Sequence, residues 1–274
     1  MTRSFGSASV AAANVLWRGG EAVHGTRVVA GEVPVAFVYD GGTEAVMMAT
    51  PADLEDFALG FSLNDGIVRS LDEIGELAIV EVERGIELRM MLRTSDRDAL
   101  VARRRHRAGP VGCGLCGVES IDEALPDLPR VTAKLSVSPP DVIAAMQALS
   151  TQQTLNRETH AVHAAAFFAP GEGIVAVRED VGRHNALDKL AGALARGGRK
   201  VSDGAILMTS RVSVELVQKA ARMGAPVIAA ISAPTALALR EAEAAGVTLV
   251  GVVRDDGLEV FTHAERIRAG DHGS

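Results

Sequence analysis

The stretch Ala205-Ile206-Leu207-Met208 is a short apolar run between Gly204 and the polar sequence Thr209-Ser210-Arg211. An apolar run bounded by turn residues predicts a strand that is buried on both faces. Helical periodicity follows over residues 212–223, and a second apolar run follows over residues 227–231. This alternation of strands and helices predicts a parallel arrangement of strands covered by helices.

The same pattern continues on both sides of this stretch. The further predicted strands cover residues 162–168, 174–177, 247–253 and 258–261, and the further predicted helices cover residues 185–195 and 234–245. Parallel strands are joined by helices, which cover the faces of the sheet. The sequence therefore predicts an α/β fold with a mixed or parallel sheet and helices on both faces.

The preceding part of the chain has a different pattern, with two predicted hairpins. They pair residues 33–39 with 45–49, and residues 79–83 with 86–92. Between them, Thr50-Pro51-Ala52-Asp53 predicts a helix start with Thr50 as N-cap and Asp53 as the capping-box acid. We therefore expect a loosely ordered start (1–25), a smaller α+β part (26–135) and a C-terminal α/β part (136–274).

Composition restricts the class of protein. The 274 residues carry a formal net charge of -7, which argues against a dedicated nucleic-acid-binding protein. Residues 1–15 lack the apolar core of a signal peptide, and no apolar run is long enough to span a bilayer. We expect a cytoplasmic protein with no nucleic-acid or membrane partner.

The chain has two cysteines, Cys113 and Cys116, in the sequence Gly112-Cys113-Gly114-Leu115-Cys116-Gly117. An arginine-rich run, Arg103-Arg104-Arg105-His106-Arg107, precedes them. In a reducing cytosol such a pair more often has a chemical role than forms a structural disulfide. Three kinds of site have this spacing: a metal half-site, a redox pair, and a nucleophilic sulfur carrier on a mobile loop.

The surrounding residues favour some of these three kinds of site over others. Structural zinc needs four ligands, so the two cysteines would need partners such as His160 and His163. A thiol–disulfide oxidoreductase places its cysteines at a helix start, whereas the surrounding glycines favour a loop. The nearby arginines favour a thiolate, which suits a carrier that accepts sulfur as a persulfide and passes it on. No bound metal is therefore expected.

Polar loops follow the predicted strands of the C-terminal part. Thr209-Ser210-Arg211 and Ser232-Ala233-Pro234-Thr235 each lead into a predicted helix, as does the loop with Arg183, His184 and Asn185. Helix starts with hydroxyl groups bind anions, and loops at the carboxyl ends of parallel strands gather at one sheet edge. These loops are candidate ligand-binding segments, whereas Lys189 and Lys219 lie on predicted helices and can be solvated.

Several uncommon segments occur in the order typical of one family. They are the stretch from Met47 to Leu54, the Cys-Gly-Leu-Cys-Gly loop, the stretch from Arg178 to Lys189, Ser210-Arg211-Val212-Ser213, and Thr262-His263-Ala264-Glu265-Arg266. From about residue 32 to residue 267 the chain resembles the formate dehydrogenase accessory sulfurtransferase family (the FdhD family). It departs from that family at Thr159-His160-Ala161, where Thr-Gly-Gly is usual.

The resemblance implies a fold similar to that of cytidine deaminases without their zinc, and a homodimer. It implies sulfur transfer from a cysteine desulfurase to the molybdenum cofactor, bis-molybdopterin guanine dinucleotide, for use by formate dehydrogenase. By position, Cys113 would be the persulfide carrier and Cys116 the second loop cysteine. The segment Val252-Val253-Arg254-Asp255-Asp256-Gly257 would contact the cofactor, which makes residues 136–274 the expected cofactor-binding part.

We therefore expect a sulfurtransferase with a cysteine persulfide intermediate. Ser210, Arg211, Ser232, Thr235 and the 183–185 loop would hold the guanine-nucleotide phosphates of its acceptor. The alternative is a non-catalytic chaperone that binds and delivers the nucleotide cofactor. In that case the two cysteines are ordinary loop residues or protein contacts.

Overall fold

The computed structural model describes residues 6–93 and 125–268, in which twelve strands form three sheets. The strands are β1 (Ser9–Arg18), β2 (Glu21–Ala30), β3 (Val33–Tyr39), β4 (Gly42–Ala49), β5 (Ile74–Val82), β6 (Gly85–Leu92), β7 (His163–Ala169), β8 (Gly173–Asp180), β9 (Ala205–Met208), β10 (Val227–Ala230), β11 (Thr248–Arg254) and β12 (Gly257–Val260). The helices are α1 (Leu54–Asn64), α2 (Pro139–Gln152), α3 (Thr154–Thr159), α4 (Arg183–Arg196), α5 (Val214–Met223) and α6 (Ala236–Ala245). None of these helices is long and apolar enough to cross a membrane.

The C-terminal sheet has six strands in the order β12-β11-β10-β9-β7-β8. Strands β9, β10 and β11 are parallel, whereas β7, β8 and β12 are antiparallel to their neighbours. Alternate residues of the strands point to opposite faces. Helices α4, α5 and α6 cover one face and α2 covers the other. The predicted mixed α/β sheet with helices on both faces is confirmed.

Several element boundaries differ from the prediction because loop residues have other partners. Strand β9 has the predicted bounds, but α5 begins at Val214 and α6 at Ala236. The Thr235 hydroxyl accepts a hydrogen bond from the Ala238 backbone N–H at 3.3 Å, so that Thr235 is the N-cap of α6. The polar residues ahead of both helices therefore lie in loops at the sheet edge.

The N-terminal sheet has the order β4-β3-β6-β5. Both predicted hairpins are present, and β3 and β6 join them in parallel. Helix α1 packs on this sheet through Phe57 and Phe61, whose rings lie 4.8 Å and 3.9 Å from the ring of Phe37. This cluster fixes α1 between the two sheets.

The prediction that Thr50 caps α1 is wrong. The N-cap residue is Asp53, which has a left-handed backbone (φ 52°) and makes no side-chain capping bond. The buried Thr50 hydroxyl instead accepts a hydrogen bond from the Val181 N–H at 3.1 Å, and the Thr50 N–H donates to Asp180 Oδ2 at 3.0 Å. The hydroxyl and N–H of Thr50, which the local sequence predicts to cap α1, therefore form hydrogen bonds to the end of β8 and the β8–α4 loop.

The N-terminal residues also differ from the expected loosely ordered start. Strands β1 and β2 form an antiparallel hairpin with ten consecutive residue pairs, from Ser9 with Ala30 to Arg18 with Glu21. Most of its side chains are exposed to solvent. Regular pairing is thus present from residue 9 onward, although little of it is buried.

Two glycines allow α1 and α4 to pack in close contact. A Cβ atom on Gly192 would lie 1.9 Å from the Asp56 carbonyl oxygen, and one on Gly60 would lie 1.7 Å from the Asp188 carbonyl oxygen. Only glycine permits such an approach of the two backbones. The contact joins the N-terminal sheet, through α1, to the C-terminal sheet, through α4.

A buried ion pair lies beside this contact. Lys189 of α4 and Asp180 of β8 are both completely buried, and Lys189 Nζ is 2.6 Å from Asp180 Oδ2. Lys189 also donates to the Thr50 carbonyl oxygen at 2.8 Å. The expectation that Lys189 is solvated is therefore wrong: its charge is neutralised inside the protein, where an unpaired charge would be strongly unfavourable.

We expect Gly192→Ala to lower the free energy of unfolding by about 3 kcal/mol, since the new methyl group overlaps a backbone atom of α1 that can move only with its helix. Chemical denaturation followed by circular dichroism measures this change. Gly257→Ala is the matched control, because no heavy atom lies within 4 Å of the added Cβ. Equal unfolding midpoints for the two variants would contradict the proposed close packing.

We expect Lys189→Met to lower the free energy of unfolding by about 3–5 kcal/mol, since it leaves the Asp180 carboxylate buried without its cation. Lys200→Met removes the same charge from an exposed position and should change stability by less than about 0.5 kcal/mol. The same denaturation experiment compares the two. A small, similar effect of both substitutions would show that the ion pair contributes little.

Candidate functional site

The carboxyl ends of the parallel strands bring two of the predicted loops, at 209–211 and 232–235, together with the end of β11. The Ile231 N–H donates to the Met208 carbonyl oxygen at 3.1 Å, and the Val252 N–H donates to the Ser232 carbonyl oxygen at 3.4 Å. The loops after β9, β10 and β11 are thus neighbours along one sheet edge. The predicted gathering of these loops is confirmed, and their binding of a ligand stays a prediction.

The side chains of the loops after β9 and β10 differ in their exposure to solvent and in whether their polar groups are already hydrogen-bonded. Ser210 is buried, and its hydroxyl donates to the Arg211 carbonyl oxygen at 2.9 Å. Arg211 is exposed. The Thr235 hydroxyl oxygen caps α6, and Ser232 is partly exposed. Arg211 therefore presents the most accessible charge among these residues.

The segment 252–257 contains the end of β11, the turn at Asp255 and Asp256, and the first residue of β12. Val252 has φ 51°, an uncommon conformation for a β-branched residue, at a register shift between Gly251 and Arg254. Val253 is buried, and the Asp255 carboxylate accepts a hydrogen bond from Gln147 Nε2 at 3.0 Å. Strained backbone of this kind is concentrated at functional sites, so the geometry supports a functional role for this turn.

The remaining residues of that segment lie at its surface. The Arg254 guanidinium donates to the Ile231 carbonyl oxygen, which ties the turn to the loop after β10. Asp256 is exposed, and Gly257 begins β12. Five of the six predicted residues are therefore at least partly exposed beside Ser232, and Val253 is buried.

The second predicted group lies at the start of α4. Arg183 and His184 are its first two residues, and His184 Nε2 lies 3.9 Å from Glu215 Oε2 of α5. Burial alone would raise the pKa of Glu215, but His184, Ser213 and a backbone N–H outweigh burial and hold its pKa at about 2. Glu215 is thus an ionised carboxylate beside His184, although the 3.9 Å separation is too long for a hydrogen bond.

Asn185 has a different environment from its two neighbours. Its amide nitrogen donates to Asp180 Oδ1 and to the Met48 carbonyl oxygen, both at 2.9 Å. Asn185 is buried, so both of its N–H groups bond within the protein. Its position supports the loop on which Arg183 and His184 lie.

His163, which the sequence analysis considered only as a possible zinc ligand, lies between the two groups. It begins β7, pairs in register with Asp180 of β8, and precedes Ala164, whose N–H donates to the Thr209 hydroxyl at 2.8 Å. Burial lowers the pKa of His163, and Arg183 and His184 lower it further, against the opposing effect of Asp180. A neutral imidazole is therefore favoured at this edge.

A cavity of about 530 Å³ opens beside the α4 start. It is lined by residues of β4, α1, α4 and α5, including Met47, His184, Asp188 and Lys219. Lys219 Nζ donates to both carboxylate oxygens of Asp188, at 2.8 and 3.0 Å. Lys219 is therefore mostly buried and ion-paired, not solvated as the sequence suggested.

Burial raises the pKa of Asp188, against the lowering effect of Lys219 and of Asn64, whose amide donates to the same carboxylate at 2.8 Å. The cavity wall thus contains the apolar side chain of Met47 and the ion pair of Asp188 with Lys219. A surface of this kind can accept a molecule that has both apolar and polar groups.

The two cysteines, Cys113 and Cys116, lie outside the described residues, as does the run Arg103–Arg107. Within the described ranges, no group of three or more His, Cys, Asp or Glu side chains is arranged to hold a metal ion. His160, considered above as a zinc ligand, ends α3 with φ 54°. Glycine adopts that conformation most easily, so a histidine is uncommon at such a position.

Comparison with known proteins gives the chain a family. Residues 30–268 match the FdhD/NarQ family. The chain is 57% identical over 253 residues to the sulfur carrier protein FdhD of Agrobacterium fabrum, covering 91% of this chain and 93% of that one. It is 56% identical over 243 residues to the FdhD of Brucella abortus, covering 88% and 90%.

A solved structure shares the fold. The crystal structure of a protein assigned as a formate dehydrogenase accessory protein, from Desulfotalea psychrophila, superposes with a TM-score of 0.74 at 26% identity. The superposition covers 96% of this chain and 100% of the other. With a family match over most of the chain and relatives above half identity, this protein belongs to the FdhD/NarQ family.

Proposed function

We propose that this protein is a sulfur carrier that supports formate dehydrogenase, with Cys113 as the residue that carries the sulfur. The observation that carries the proposal is the high identity to proteins named sulfur carrier protein FdhD. The only two cysteines of the chain lie in one Cys-x-x-Cys sequence. Sulfur carriage as a persulfide requires such a thiol.

The proposed chemistry begins with the Cys113 thiolate. It attacks the outer sulfur of a persulfide on a cysteine desulfurase, so that a new S–S bond forms on Cys113 and the donor cysteine leaves as a thiolate. Cys116 then assists release by thiol–disulfide exchange: its thiolate attacks the Cys113 sulfur, a Cys113–Cys116 disulfide forms, and the outer sulfur leaves as hydrosulfide. A thiol reductant of the cell then restores both thiols. The arginines at 103–107 favour both thiolates electrostatically.

The proposed acceptor is the molybdenum cofactor, bis-molybdopterin guanine dinucleotide. Its phosphates are anions, and the sheet edge offers Arg183, Arg211 and Arg254 beside the starts of α4, α5 and α6. Guanidinium groups and helix starts both favour phosphate. The residues present therefore suit the acceptor's nucleotide, with Ser232 supplying a partly exposed hydroxyl nearby, while Ser210 and Thr235 hold the loop and the helix start in place.

The proposal extends to location and assembly. The protein would act in the cytoplasm as a homodimer, with a cysteine desulfurase as donor and formate dehydrogenase as client. The six-stranded sheet would be similar to that of cytidine deaminases without their zinc. These points rest on the resemblance to the family, and the helices on both faces of the sheet support the last of them.

The alternative is a chaperone that holds and delivers the nucleotide cofactor without carrying sulfur. The strained turn at Val252 and the basic sheet edge would serve such a protein equally well. The two functions differ in their need for the thiols. A Cys113→Ala variant that fully supports formate dehydrogenase activity in cells would favour the chaperone.

We expect the wild-type protein to gain the mass of one sulfur atom after incubation with a cysteine desulfurase and cysteine. Cys113→Ala should lose this gain, because it removes the nucleophile, and Cys116→Ala should keep it. Intact-protein mass spectrometry, repeated after treatment with a reductant, measures both. Equal labelling of a Cys113→Ala/Cys116→Ala variant would contradict the proposal.

We expect the protein to bind GDP, and Arg211→Ala to weaken that binding by about tenfold through loss of one charge-assisted hydrogen bond. Isothermal titration calorimetry measures both affinities. Arg240→Ala removes the same charge from an exposed position on α6 and is the matched control. An equal loss of affinity in the two variants would show only a general charge effect.

A further inference from the structure

The β1–β2 hairpin carries a large share of the exposed apolar side chains. Twelve large hydrophobic side chains are exposed in the described residues, and half of them lie on this hairpin. They are Val10, Val15, Leu16, Trp17, Val23 and Val28. Trp17 is the only tryptophan of the chain and is 70% exposed. The register divides these six side chains between the two faces of the hairpin, three on each face, so that each face offers apolar surface to a partner.

The rest of the chain gives the hairpin little support. Strand β2 contacts α3, and the Arg27 guanidinium donates to the Thr159 carbonyl oxygen at 3.4 Å. Neither β1 nor β2 pairs with a third strand within residues 6–93 and 125–268. A two-stranded hairpin alone is marginally stable in water, whereas added strands stabilise it.

The free edge of β1 has no protection against pairing. From Ser9 to Trp17 the strand carries no charged side chain, and its ten pairs with β2 include no bulge. Exposed edges are usually protected by charges, proline or bulges. The edge of β1 is therefore suited to pair with another strand.

The sequence of β1 is compatible with its own antiparallel copy. If the twofold axis passes near Ala13, then Ala11 faces Val15 of the second copy, and Ser9 faces Trp17 of the second copy. On this face small side chains thus lie opposite large ones, whereas on the other face Val10 lies opposite Leu16 and buries apolar surface, and no like charges meet across the axis. The pairing is symmetric, as most dimer interfaces are.

We propose that β1 pairs antiparallel with β1 of a second copy of this chain, to give a continuous four-stranded sheet in the order β2-β1-β1-β2. The pairing buries the β1 edge and partly covers Trp17. The inference rests on the homodimer of the proposed function and assigns its surface, but it does not depend on the sulfur chemistry.

Sedimentation velocity of the full chain over a range of concentrations tests the pairing. We expect a dimer, and we expect Trp17 emission to move to longer wavelength on dilution, with the same midpoint as dimer dissociation. Because Trp17 is the only tryptophan, its emission reports on this hairpin alone. A monomer at all concentrations, or a dimer whose dissociation leaves Trp17 emission unchanged, would overturn the inference.

Two substitutions distinguish this edge from other surfaces. Ala13→Lys places two ammonium groups next to each other across the axis, and we expect the dissociation constant to rise by about tenfold or more. Thr26→Lys is the matched control: Thr26 pairs with Ala13 within the hairpin but lies on β2, farther from the axis, and should leave the dimer intact. Equal dimer affinity of both variants and wild type would refute the pairing.

A cross-link tests the register even if the lysine variant disturbs the hairpin. In a Cys113→Ala/Cys116→Ala background, Ala13→Cys should form an intermolecular disulfide, because directly opposed residues of antiparallel strands lie within disulfide range. Absence of the cross-link in a dimeric sample would overturn the register. Sulfur uptake by wild-type monomers would defeat this inference alone, and a cross-linked dimer whose parent takes up no sulfur would defeat the proposed function alone.

Discussion

The buried ion pair of Asp180 and Lys189 connects the C-terminal sheet to the N-terminal sheet. Asp180 ends β8, Lys189 lies on α4, and both contact Thr50 at the end of the N-terminal sheet. A charge buried at this depth requires its partner and its hydrogen bonds in place. The position of α4 relative to β8 is therefore fixed, and with it the loop that presents Arg183 and His184.

Close helix packing adds to the same constraint. Gly60 and Gly192 bring α1 and α4 into backbone contact, so that Asp188 can bond both Asn64 of α1 and Lys219 of α5. Three helices thus share one polar network beside the cavity. The polar groups that line this cavity are positioned by the framework that joins the sheets, which is why stability and site geometry are coupled here.

The sheet edge and the cysteine sequence differ in composition and in the kind of group each can bind or carry. The sheet edge is built from loops anchored to buried strands, with a strained backbone at Val252, and it suits a phosphate-bearing ligand. The cysteine sequence is rich in glycine and follows a run of arginines, which suits a thiolate that meets two partners in turn. A sulfur carrier needs both, a fixed place for its acceptor and a reactive thiol that can reach it.

The sequence alone determined the strands of the C-terminal sheet, both N-terminal hairpins, the mixed α/β class and the loops at the sheet edge, because apolar periodicity and turn residues act locally. It did not reveal the role of Thr50, the burial of Lys189 and Lys219 or the inward amide of Asn185. Each of these depends on a partner more than thirty residues away or on burial, which local pattern does not encode. Only the tertiary structure decided them, since a polar side chain is placed in a core by the distant group that neutralises it.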